Sequence, residues 1–424
     1  RRSGALKRQA GTGPRLRERR YRPERANAGI PGRVAPGRAQ RRASARNSCP
    51  SRVAGGAGRS FHPHQGRHGR MEPDDAGEAT LAEKVAFLSR PDSYPEGTRA
   101  VEARETRMSW VFLTNRFVYK LKKPVAERYL DFRSLALRRA FCEEEVRLNA
   151  RLAPRIYLGT VALWRGRDGA LRLGDGEAAA GDTVVDWLVL MRRLPAEQLL
   201  DAAIRRGTVQ PDRIEAVADL LAAFYATVEP VSLGQAEYLG RFLQDQATNR
   251  ELLCAPTFGL SRDEVEPVLA PVETVLRGEP ELLLARLADR RIVEGHGDLR
   301  PEHVFLGEPV AVIDCLEFNR QLRLLDPFEE LAFLGMECAA AGAAWIGPAL
   351  IARCAARMGE AVPDQRLLAF YTAFRAALRA RQAVAHLLDP KPREPAKWLP
   401  QARRYLAVGA EAAAAISRRA PAGR

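Results

Sequence analysis

The chain has no apolar run near the roughly 18 residues that a membrane-spanning helix needs. Its nearest approach, 339–352, is Ala-rich but broken by Gly342, Gly347 and Pro348. That predicts a pair of buried helices and no membrane partner. Cysteine is scarce: Cys49, Cys142, Cys254, Cys315, Cys338 and Cys354 show no CxxC or CxxH spacing. This argues against a disulfide framework or a zinc site. It predicts small core residues in a reducing, cytoplasmic compartment. No internal repeat is visible. Acids are nearly missing from the first 70 positions, which hold 19 Lys/Arg against Glu18 and Glu24. Those positions carry +17 of a net +15, so the other 354 residues carry −2. Net basicity normally points to nucleic acid. Here it belongs to one segment, and no nucleic-acid partner is expected for 71–424.

That segment is rich in Arg, Gly, Pro, Ala and Ser and has almost no apolar periodicity. It cannot bury enough surface to offset its conformational entropy, which predicts a disordered basic tail. It lacks the apolar h-region of a secretory signal. Only Tyr21 and Phe61 offer stacking surfaces for an RNA arm. The first Met is Met71, and composition is ordinary from there on. Residues 1–70 are therefore read as upstream sequence outside the functional protein.

The remainder, in a chain 46% apolar, divides by pattern. A helix is predicted over 78–90, ended by Pro91 and Pro95. Strands follow at 99–105, 110–114 and 117–122, then a helix at 134–152, a hairpin at 156–164 and 170–174, and a buried apolar strand at 184–191. Helices dominate afterwards: 196–206, 212–228, 236–253, 261–277 and 279–290, punctuated by Pro211, Pro230 and Pro256. A strand pair at 303–307 and 310–314 interrupts them. Asp326-Pro327-Phe328-Glu329 reads as a capping box opening a helix at 327–341. Helices at 348–358, 364–386 and 395–416 close the chain. The fold class is α+β: an antiparallel-sheet lobe over 78–192, then a mainly helical lobe over 193–417.

The chemistry concentrates in His296-Gly297-Asp298-Leu299-Arg300-Pro301-Glu302-His303 and in Ile313-Asp314-Cys315-Leu316-Glu317. An Asp is followed five positions later by a metal-capable side chain, then by a second Asp after an apolar strand. Upstream, Val118, Lys120 and Lys122 share one strand face in period-2 geometry. The helix after them offers Glu145, with Glu144 as the alternative, to fix a lysine rotamer.

These motifs resemble the protein-kinase order H-R-D-L-x-x-x-N then D-F-G. The H-G-D form resembles the aminoglycoside phosphotransferase family. The segments Val118-Tyr119-Lys120-Leu121-Lys122-Lys123-Pro124 and His296 to His303 are similar to those of an uncharacterised bacterial branch of it. The likeness covers nearly all of 71–417 and implies a two-lobed protein-kinase-like fold with the site between lobes. It implies Asp298 as the catalytic carboxylate, Arg300 as a cation near the transferred phosphoryl, and Asp314 and His303 as metal ligands. Lys120 and Lys122 would reach the nucleotide phosphates, with Glu145 fixing the lysine rotamer as part of the cofactor site. Ser109, in the loop where kinases have a Gly-rich lid, would cap phosphate. Met191 and Arg193 would form the hinge that meets adenine. The expected cofactors are ATP and Mg, with Mn an alternative because His303 stands where the family has Asn.

His296 reads as structural. Glu317 reads as a further ligand near the metal or a cap. Glu329, Glu330 and Glu337 read as a solvated helix face. The implied function is ATP-dependent phosphorylation of a small-molecule hydroxyl. The competing reading is a nucleotide-binding pseudokinase with a regulatory or interaction role, favoured by the Gly-free lid and by His303. Acceptor identity and oligomeric state are not legible.

Overall fold

Alternating apolar residues at 109–122 fold into the hairpin around which the sheet is built. The computed structural model describes residues 79–127, 130–174 and 180–417. All belong to one unit, Met71–Arg424. The expectations for the basic tail concern residues outside those described.

The chain opens with α1 (Leu81–Leu88), fixed by a reciprocal cap between Thr80 and Glu83. Strands β1 (Glu102–Glu105), β2 (Ser109–Leu113) and β3 (Phe117–Lys122) follow. A small ladder of β4 (Ala126–Glu127) and β5 (Leu130–Asp131) leads into α2 (Leu135–Asn149), capped by Ser134. Then come β6 (Tyr157–Arg165), β7 (Leu171–Gly174) and β8 (Thr183–Arg192). The sheet order is β1-β2-β3-β8-β6-β7, antiparallel throughout.

One sheet face carries Phe112, Tyr119, Leu121, Leu163 and Leu188, packed with Leu88 and Tyr94. The other carries Lys120 and Lys122 and receives α2, which packs on β8 and β6. The period-2 reading of β3 thus separates an apolar face from a charged one.

The helical part contains α3 (Leu200–Arg206), α4 (Pro211–Thr227), α5 (Gln235–Leu253), α6 (Arg262–Gly278) and α7 (Glu281–Ala288). The short strands β9 (Val293–Glu294), β10 (Val304–Phe305), β11 (Ala311–Val312) and β12 (Leu324–Leu325) pair as β10–β11 and β9–β12. Then follow α8 (Pro327–Ala340), α9 (Ile346–Met358), α10 (Gln365–Ala385) and α11 (Pro395–Ser417). Their apolar faces share one core that includes Phe242, Leu269, Leu331, Phe370 and Leu406. No helix among the described residues is long and apolar enough to cross a membrane.

Three local expectations change. The helix read over 196–206 is a turn at Ala196–Gln198 followed by α3. Leu199 is extended because it bridges to Phe305, while the Gln198 carbonyl accepts from Leu306 N–H. The capping box at Asp326 is half formed. Asp326 accepts from Phe328 N–H, but Glu329 turns to Arg241 and Arg375 instead of the cap backbone. Cys254 is exposed, whereas Cys142, Cys315, Cys338 and Cys354 are buried thiols as read; Cys49 lies outside the described residues.

Candidate active site

Two neighbouring strand positions deliver two lysines to α2, and one carboxylate meets both. Glu145 is fully buried; its Oε1 lies 2.9 Å from Lys120 Nζ and its Oε2 lies 2.7 Å from Lys122 Nζ. Lys120 also reaches Asp314 Oδ1 at 2.8 Å. Burial opposes the Lys120 charge, but Asp314 and Glu145 outweigh it and hold its pKa well above the ordinary lysine value. Asp314 is held well below the usual carboxylate range: burial works against this, and Lys120 and His303 overcome it.

The backbone at Asp314 is left-handed, with φ 61°. Asp tolerates this region better than most residues. Asp314 N–H donates to Tyr157 Oη at 3.0 Å, and Cys315 N–H donates to Asn149 Oδ1 at 2.9 Å. Both acceptors come from the sheet part of the chain. Its position is reinforced by Arg151, whose guanidinium donates to the carbonyls of Glu294 and Gly295.

The loop carrying Asp298 is held from beneath. His296 is fully buried, and burial, then the neighbouring His303, push its pKa down to about 4. Its Nε2 lies 2.8 Å from the Ile313 carbonyl, so Nε2 carries the hydrogen, and Nδ1 accepts from Asp298 N–H. Glu330, on α8 and fully buried, accepts from the N–H groups of His296 and Gly297 and from Tyr225 Oη. Burial pushes the Glu330 pKa up against those donors. Glu330→Gln places an amide hydrogen among N–H donors. The expected loss is roughly 1–3 kcal/mol of stability, read from denaturant unfolding.

Asp298 Oδ2 accepts from Arg300 Nε at 3.0 Å. Burial opposes the Asp298 charge, but Arg300 and His303 overcome it and lower the pKa. His303 lies between the two aspartates. Its Nδ1 is 2.8 Å from the Asp298 carbonyl, which only accepts, so Nδ1 carries the hydrogen. The Nε2 lone pair then faces Arg300 Nη2 at 3.2 Å and Asp314 Oδ2 at 3.5 Å. Thus Lys120, Glu145, Asp314, His303, Asp298 and Arg300 form one connected cluster.

Four expected nucleotide contacts are not part of it. Lys122 is fully buried, enclosed by Glu145, Glu317 and the Phe132 ring. Ser109 is buried in β2, and its N–H is taken by Thr106 Oγ1. Met191 lies in the central strand, paired with Val118 on one side and Tyr157 on the other. Arg193 N–H donates to the Arg116 carbonyl, and its guanidinium donates to the Thr114 carbonyl. Glu317 pairs with Lys122. The solvated-face reading of α8 is also corrected. Glu329, Glu330 and Glu337 are buried, and Glu329 and Glu337 pair with arginines from α5 and α10.

No family model matches the chain. It is 30% identical over 298 residues to uncharacterised proteins of Mycobacterium tuberculosis and Mycobacterium bovis, covering 69% of this chain and 56% of theirs. The chain thus spans about half the length of these relatives. Among solved structures it is similar to a spectinomycin phosphotransferase holding ADP and spectinomycin. That likeness has 12% identity and TM-score 0.45, over 79% of this chain and 98% of that one. An aminoglycoside phosphotransferase from Streptomyces rimosus, solved with ADP and streptomycin, gives 20% identity and TM-score 0.36 over 70% and 97%. A choline/ethanolamine kinase family protein from Mesorhizobium loti gives 14% and 0.39 over 77% and 99%. At these TM-scores the likenesses assign no activity to this chain.

Proposed function

We propose that this chain is an ATP-dependent phosphotransferase acting on a small-molecule hydroxyl, of the aminoglycoside phosphotransferase type with a protein-kinase-like fold. The observation that carries the reading is the connected cluster. One lysine is fixed between a helix carboxylate and a strand-end aspartate, and a second aspartate faces the same imidazole.

The residues fit a nucleotide-borne Mg. Among the described residues no three His, Cys, Asp or Glu side chains form a metal cage. Mg that arrives with phosphates needs only one or two protein carboxylates. Asp314 has a side chain 43% exposed, with Oδ2 turned toward His303 Nε2. When bound, Mg–ATP supplies the phosphoryl group and neutralises its charge. Lys120 binds phosphate oxygens, with Glu145 fixing its rotamer. Asp314 would hold the metal, and the lone pair of His303 Nε2 would be the second ligand. That nitrogen suits Mn better than Mg. Asp298 orients the acceptor hydroxyl and takes its proton. Arg300 faces the phosphoryl in transfer and keeps Asp298 ionised until the acceptor arrives.

Purified protein incubated with ATP and Mg or Mn tests the reading. ATP-dependent mass gain of one phosphate on a metabolite, or slow ATP hydrolysis, is the expected result. Tight nucleotide binding with no turnover would favour a regulatory pseudokinase, the reading that His303 and the Gly-free lid support. Asp314→Asn removes a charge from the cation. It should weaken Mg–ATP binding at least about tenfold, as measured by calorimetric titration. Parent-like affinity would remove the metal assignment.

A further inference from the structure

Beside Arg300 lies a cavity of about 210 Å3 between the loop that carries Asp298 and helices α10 and α11. Its walls include Glu302, Arg379, His386, Lys397 and Trp398. The volume is below the roughly 300–1,000 Å3 of sites for drug-sized ligands. Only one carboxylate lines it, Glu302, and that is held by Arg300 at 2.6 Å. A polyamine would therefore find no uncommitted anion among the lining residues.

The cations are distributed differently. Arg379 is balanced by Glu337 beneath it and donates to Gln382 and Tyr405. Lys397 is 53% exposed and, among the described residues, its ion pair is with Glu394, itself 71% exposed, at 3.3 Å. Such a pair is worth little in water. One wall is planar: the His386 and Trp398 rings stack at 3.9 Å, 20° from parallel, with Lys397 Nζ 5.0 Å from the Trp398 centroid. Burial lowers the His386 pKa first; Arg107, Arg379 and Lys397 lower it further, against Asp389.

We infer that this cavity receives the acceptor, and that the acceptor is a small hydroxyl compound bearing a planar group and an acidic group, not a polyamine. The inference rests on the phosphotransfer reading for the word acceptor, but the ligand class follows from the cavity alone. The ring of such a compound lies along the His386–Trp398 wall, its anion meets Lys397, and its hydroxyl points past Arg300 to Asp298.

The test uses the full chain and two probes that share a phenol ring, para-hydroxyphenylacetate with a carboxylate and tyramine with an ammonium. Binding is followed by tryptophan fluorescence, with Trp398→Phe to locate the signal. The acid should bind about tenfold more tightly, because Lys397 attracts its carboxylate and repels the ammonium of tyramine. Lys397→Glu should abolish or reverse that order, with a thermal melt to confirm folding. Tyramine binding as tightly as the acid, binding of neither, or a preference that survives Lys397→Glu would overturn the inference. Charge-selective binding by a chain that never turns over ATP would keep the ligand class and remove phosphotransfer. ATP turnover with a tyramine preference would do the reverse.

Discussion

Asp298→Ala is expected to bind Mg–ATP like the parent and to lose turnover by about a hundredfold or more, the usual contribution of a positioned general base. The two effects separate because the Asp298 carboxylate meets the residues proposed to face the nucleotide through Arg300 and His303 and touches none of them directly. Lys120, Glu145 and Asp314 keep their mutual contacts at 2.8–2.9 Å when the Asp298 carboxylate is removed. Folding should change little. The Asp298 side chain is 28% exposed, and Arg300 retains Glu302. The Asp298 carbonyl that holds His303 Nδ1 is backbone and survives the substitution. Calorimetric titration reads the affinity, and ADP release, to an acceptor or to water, reads turnover. Parent-like turnover would remove Asp298 from the chemistry. Lost nucleotide affinity would show that the two aspartates act as one binding unit, against the division of roles proposed above.

Much of the architecture is legible in the sequence because its signals are local. Ser134 before α2, Pro211 opening α4 and Gly359 after α9 mark helix ends by their own backbone chemistry. The alternation in β3 puts Lys120 and Lys122 on one face, and they are there. It does not say how deep each lies, because Phe132 and Glu317 close over Lys122 from other elements. The α8 acids mislead for the same reason. Their partners Arg241, Arg375 and Arg379 are remote in sequence, so a helix buried nearly all round looks amphipathic. Tyr157, Asn149 and Arg151 escape sequence reasoning entirely, and Glu330 enters it only as a solvated acid. Each acts on backbone groups near Asp314 or His296, and a backbone acceptor or donor leaves no mark in a sequence. At the expected hinge the backbone partners are what the sequence leaves out. Val184–Met191 is a buried strand, as its apolar run implies, but its pairing runs on through Met191, and the Arg116 carbonyl takes the Arg193 N–H.

Lys120 and Lys122 should therefore fail in opposite ways, although they are two residues apart on one strand face. Lys122→Met keeps the volume and removes the ammonium that Glu317 contacts. Glu145 and Asp314 would then share Lys120 alone and Glu317 would be left without its cation, in a site where Glu145 has no exposure at all. Removing one partner of a buried ion pair typically costs roughly 3–5 kcal/mol, and that loss is expected in denaturant unfolding. Lys122→Met with Glu317→Gln should recover part of it, since the stranded charge goes with its partner. Lys120→Met should cost less, because Lys122 still holds Glu145 and the Asp314 side chain is 43% exposed to solvent. Its loss should instead appear in Mg–ATP affinity. If Lys122→Met folds as stably as the parent and loses nucleotide binding, Lys122 is the phosphate ligand and the buried pairing with Glu317 is not what holds it.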